Sequence, residues 1–155
     1  RSTLFPYTTL FRSSYNNDFT ANIAIGDLWD YTAESFNKET VLGALAYGVK
    51  TILTEYPHIK IVFFTGKWRC IDESGTAVPP YAHQNTLSKT IEDYNDGIIE
   101  TCARMGVSVY DFYRYGGSNY YNKDYMMISG ASHFTLEGHT RFATILNNLD
   151  NSFIG

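Results

Sequence analysis

His133 stands two residues ahead of Thr135, and the residues after Thr135 carry apolar side chains at helical spacing. An imidazole in that setting has a backbone held at a helix start and a ring able to reach a cleft. A side chain so placed suits a general base. The same position equally fits a surface histidine beside a helix cap, because a base is only useful with a nucleophile to serve. The chain has four histidines. The spacing of His139 with Phe142 and Leu146 predicts packing or partial exposure, and His58, after Pro57, and His83, in a loop, have no evident partner. Asn16, Asn17 and Asp18 are turn chemistry, since short amide and carboxylate side chains bond their own backbone. Cys70 and Cys102 show neither CxxC nor His spacing, which predicts two free thiols and no zinc site.

The elements around these residues follow from periodicity. "NKETVLGALAYGVKTILTEY", residues 37–56, places Val41, Leu42, Leu45, Val49, Ile52 and Leu53 on one helical face, with Asn37 as N-cap and Pro57 as terminator. "IKIVFFTG", residues 59–66, reads as a buried strand, and the stretch through Pro79-Pro80 reads as loop. A second helix is predicted from a cap at Asn85 or Thr86 to Met105, with Leu87, Ile91, Tyr94, Ile98, Cys102 and Met105 on its apolar stripe and Gly106 as its stop. "VSVYDFY", residues 107–113, is a second strand, and a tyrosine-rich loop runs from Gly116-Gly117 to about Ser132. A third helix, capped by Thr135, presents His139, Phe142, Ile145, Leu146 and Leu149 on one face. This alternation predicts an α/β fold with parallel strands and crossover helices, and it shows no internal repeat. In such sheets the functional loops leave the carboxyl ends of the strands. They are the segments after Thr65, after Asp111 and ahead of Asn37.

At 155 residues, 44% apolar and 18% charged, the chain has the size and composition of one globular domain. A net charge of -4, with no Lys/Arg cluster, argues against nucleic acid as a partner. No stretch approaches the roughly 18 apolar residues of a membrane span, and no signal-peptide pattern is visible. The first thirteen residues, "RSTLFPYTTLFRS", fit neither helical nor alternating periodicity and resemble a translated sequencing-library adapter, which places the start of the natural coding near Ser14. The alternative is a strand, since the stretch is rich in strand-favouring residues.

"HFTLEGHTRFATIL" (133–146) is similar to the histidine block of the SGNH (GDSL-type) hydrolases. "LGALAYGVKTILTEYPHIKIVFFTGKWR" (42–69) resembles a crossover helix and the fourth strand of that family, and "NTLSKTIEDYNDGIIETCARMGVSVYDFY" (85–113) the next helix and fifth strand. "YNND" (15–18) resembles its Gly-x-Asn-Asp block, so the resemblance runs from about Ser14 to Asn151. It implies an α/β, flavodoxin-like three-layer parallel sheet, truncated at its N-terminal side.

The resemblance also implies ester hydrolysis without cofactor or metal. His133 takes the place of the general base, and Asn17 that of the asparagine in the oxyanion hole, whose amide is a neutral, directional donor. The substrate implied is a small acyl ester, with an O-acetylated carbohydrate as one form. Four departures stand out. No Gly-Asp-Ser-Leu block for the nucleophile occurs in the chain, and neither Ser13 nor Ser14 replaces it. The second-block glycine is missing too, and Tyr15 occupies the third-block glycine position. Gly130, beside Ser129, stands where a carboxylate usually precedes the histidine by three residues, with Asp124 the nearest acid upstream. The expectation is therefore a portion of an esterase that is inactive by itself, the alternative being a non-catalytic binding module on the same fold. A nucleotide binder shares the topology, but no GxGxxG loop is present. Tyrosines 110, 113, 115, 120, 121 and 125 are expected to serve as core and loop packing, with stacking on sugar rings as the second option.

Overall fold

The computed structural model describes residues 8–12, 15–70, 76–128 and 133–153. Three strands, β1 (Thr8–Arg12), β2 (Lys60–Phe64) and β3 (Ser108–Tyr110), form a parallel sheet in the order β1-β2-β3. The register aligns Arg12 with Phe64 and Phe64 with Tyr110, so the carboxyl ends of all three strands reach one edge of the sheet. The mixed α/β class and the parallel strands agree with the sequence. β1 shows that part of "RSTLFPYTTLFRS" pairs as a strand, which reports its propensity rather than its origin.

Helix α1 (Tyr15–Thr20) follows β1, and α2 (Val41–Glu55) and α3 (Ile91–Arg104) are the crossovers to β2 and β3. Their stripes, with Leu42, Ala46 and Val49 of α2 and Ile91, Tyr94, Ile98 and Cys102 of α3 buried, enclose the larger core together with Tyr15, Phe19 and Ile61. Phe63 packs against that cluster. Its strand neighbour Phe64 instead meets Phe142 of α6 (Leu136–Phe153), because successive strand side chains point in opposite directions. Phe112, Met126, Met127 and Phe134 form this second cluster, and Trp68 packs against both.

Several boundaries move from where the sequence placed them. The cap of α2 is Thr40, whose hydroxyl accepts from the Gly43 N–H, while Asn37 closes the preceding turn by accepting from the Glu39 N–H. α3 begins later than Asn85 or Thr86, because Thr90 and Asp93 form a reciprocal capping box. Asn85 instead turns the chain by accepting from the N–H groups of Leu87 and Lys89, which leaves Leu87 exposed. Gly106 ends α3 as expected, at φ +68°. The strand predicted over 107–113 stops at Tyr110, where the Asp111 carboxylate accepts from the Arg114 N–H and starts the short helix α4 (Phe112–Tyr115). The tyrosine-rich segment contains one further turn of helix, α5 (Lys123–Met126). Cys70 and Cys102 are both free and buried, as the spacing predicted.

Candidate functional site

A polar network joins the strand exits. Thr65, directly after β2, donates to Asp111, directly after β3, at 3.3 Å, and accepts from the Tyr113 N–H at 3.2 Å. Asn95 of α3 donates to Asp111 at 3.3 Å and accepts from the Tyr15 hydroxyl at 3.1 Å. Arg114 clamps the other Asp111 oxygen at 2.8 Å and reaches Asp96 at 2.6 Å. Burial, followed by the charge of Asp111, pushes the Tyr15 phenol far above its ordinary range, and burial with the nearby Glu92 does the same to Tyr113. Both stay neutral and serve as hydrogen-bonding groups. The Cys102 thiol is pushed up to about 12 by burial, and Cys70 is raised for the same reason, so neither suits a nucleophile.

Gly66 lets Tyr15 lie over the β2 exit, since a Cβ there would come within 2.5 Å of the Tyr15 ring carbon Cζ. Beyond it, Lys67 is buried and sets its ammonium 4.0 Å from the Phe134 ring centroid. The Arg69 guanidinium lies 5.6 Å from the ring of Phe19 on α1. One exit segment therefore touches the helix that carries Asn17 and the arm that carries His133.

That arm is tied down by its backbone. Met127 and Phe134 form an antiparallel bridge, the Ile128 N–H donates to the His133 carbonyl at 2.9 Å, and the Thr135 hydroxyl donates to the Tyr125 carbonyl at 2.6 Å. The Gly138 N–H donates to the Thr135 hydroxyl, so Thr135 acts as the cap the sequence predicted. The His133 ring is exposed and has no hydrogen-bond or charged partner among the described residues.

Asn17 is exposed on α1, and its carbonyl accepts from the Ala21 N–H, so it belongs to a helix and not to the turn that its neighbours suggested. No contact joins the Asn17 and His133 side chains among the described residues. Asp124 pairs with Lys123 at 2.9 Å, while Ser129 and Gly130 lie outside the described residues. His139 is exposed with its ring edge-on to Phe134 at 5.5 Å, His83 sits against Phe19 at 5.1 Å, and His58 is exposed.

The tyrosines correct an expectation. Tyr113 is buried and Tyr110 half-buried, but Tyr115, Tyr120, Tyr121 and Tyr125 are exposed, because they fall on α4, α5 and the turn between them, outside both cores. Asn95 was not singled out from the sequence, while Thr65 and Lys67 entered only as the start and part of the segment after β2. Asn95 did carry a signal, as a polar side chain four residues from Ile91 and one from Tyr94 on the apolar stripe of α3.

Comparison with solved structures shows the fold. A crystal structure 22% identical matches with a TM-score of 0.78, covering 94% of this chain and 64% of the other. A protein from Lactobacillus plantarum matches at 20% identity and TM-score 0.77, covering 94% and 67%. A possible lipase from Chitinophaga pinensis matches at 17% identity and TM-score 0.67, covering 94% and 72%. The chain thus spans about two thirds of these structures. No family model matches, and no curated protein does. No helix among the described residues is long and apolar enough to cross a membrane.

Proposed function

We propose that residues 14–155 are the C-terminal portion of an SGNH-type serine esterase with a flavodoxin-like three-layer sheet, and that Arg1–Ser13 is translated adapter. The single observation behind this reading is the exit segment of β2, which meets the helix of Asn17 on one side and the arm of His133 on the other. The likeness to a possible lipase supports the hydrolase class. In the reaction, a serine supplied by preceding chain attacks the acyl carbon and gives its proton to His133. The Asn17 amide donates to the oxyanion that forms. Collapse releases the alcohol with the proton from His133, and water then frees the acid by the same steps in reverse. The substrate proposed is a small acyl ester, including O-acetylated carbohydrate.

The test uses p-nitrophenyl acetate. The 155-residue chain is expected to show no turnover. The coding sequence extended upstream from source DNA is expected to supply a Gly-Asp-Ser-type block and turnover that falls by about a thousandfold or more in His133→Ala. Turnover by the short chain that vanishes in His133→Ala would overturn the missing nucleophile, and an active extended enzyme indifferent to His133→Ala would overturn the base. A second reading, a non-catalytic binding module, is favoured by one observation: Asp124 is paired with Lys123. An extended sequence with no nucleophile block decides for it.

A further inference from the structure

Lys67 is a buried lysine, 2% exposed, in the segment that leaves β2. Its ammonium lies 4.0 Å from the centroid of the Phe134 ring, and Phe134 directly follows His133. Other neighbours box that ring in. Phe112 meets it edge-on at 5.9 Å and Phe142 stacks on it at 6.2 Å. Gly138 gives it room, since a Cβ there would come within 2.8 Å of the Phe134 Cδ1. The exit segment is itself held, because Trp68, the next residue after Lys67, packs against both apolar clusters.

An ammonium is a costly group to place there. A leucine or methionine would fill similar space without giving up hydration, and a buried charge persists only where oriented partners compensate it. The face of an aromatic ring is such a partner. Its attraction for a cation depends on direction, whereas apolar contact alone lets a ring slide. The position of that ring passes straight to its neighbour, because Met127 bridges Phe134 and the Ile128 N–H donates to the His133 carbonyl at 2.9 Å. We propose that Lys67 is a positioning residue for His133. Through the Phe134 ring it fixes the arm against the β2 exit, and so sets where the imidazole stands relative to the helix of Asn17, which the same segment meets through Arg69. Lys67 acts through Phe134 and not on the ester. The proposal rests on the esterase reading for the reaction that the imidazole serves; the anchoring of the arm does not.

The anchoring is tested on the 155-residue chain by amide hydrogen exchange followed by NMR. Lys67→Met and Phe134→Leu are each expected to speed exchange at the Ile128 amide by about tenfold or more, while the Val107 amide at the end of α3 keeps its rate. Lys67→Arg, which keeps a cation for the ring, should retain the protection. The double variant should exchange no faster than either single one, because both remove the same contact. Unchanged Ile128 exchange in both single variants overturns the proposal. So does an acceleration shared equally by Val107, which would make Lys67 a general stabiliser. If Lys67→Met does not fold, Phe134→Leu and Lys67→Arg carry the same comparison. The positioning is tested in the upstream-extended enzyme with p-nitrophenyl acetate. There Lys67→Met should lower kcat by about tenfold or more with KM within about twofold, and Lys67→Arg should keep most of the rate. An extended enzyme that needs His133 yet keeps its kcat in Lys67→Met overturns the positioning and leaves the esterase reading standing. An extended chain with no turnover overturns that reading and the positioning role with it, while the anchor stands or falls on the exchange rates.

Discussion

Asp18 is a carboxylate whose surroundings set the sign of a pH effect. It borders a groove lined by Val41, Val49 and Phe63, and burial raises its pKa above the ordinary carboxylate value. A raised folded-state pKa means that the native state favours the protonated form. The associated stability is present in full below the unfolded pKa and is lost as pH rises through the folded one. Asp18→Asn should therefore melt at a higher temperature than the parent at pH 7, with the difference shrinking as pH falls toward 3. Melting curves across that range check it, and a difference independent of pH would show that burial of the charge is not its source. Little of this was legible in the sequence. Asn-Asn-Asp predicts a turn from its own chemistry, whereas the chain uses these residues on α1, where Tyr15 and Phe19 fill the core.

The bodies of the elements were legible where an apolar stripe decided them, while several boundaries were not, the Thr40 cap and the Thr90–Asp93 capping box among them. The apolar stripes of α2 and α3, the strand at 60–64, the Gly106 stop and the Thr135 cap all depend on residues a few positions apart. β3 ends where Asp111 caps α4 by accepting from the Arg114 N–H three residues on, and Thr65 and Asn95 hold that carboxylate from elsewhere in the chain, so the stretch through Tyr113 looked like uninterrupted strand. Of the candidate site, the Thr135 cap beside His133 was readable. Lys67 and Asn95 were not, because their roles exist only once β2, β3 and α3 are assembled. Asn95 is the joint of that assembly. Asn95→Ala removes a bond to Tyr15 and one to Asp111 in a buried setting, and should cost about 1–3 kcal/mol. Urea unfolding measures this, and a loss within experimental error would show that α3 and the strand exits are held by apolar packing alone.

For the whole molecule the open side is at β1. Among the described residues β1 pairs with β2 alone, which leaves its other edge without a strand, and a largely apolar groove of about 330 Å³ opens beside α2. Unpaired edges and contiguous apolar surface favour association. The sedimentation coefficient of the chain should rise with concentration in the micromolar range, and a constant value across that range would count against the exposed edge. Asp111 carries a different consequence. Its carboxylate is a keystone, gripped by Thr65, Asn95 and Arg114 together. A group wedged from three directions cannot pivot, so any change at Asp111 would loosen the exits of β2 and β3 and their tie to α3 at once.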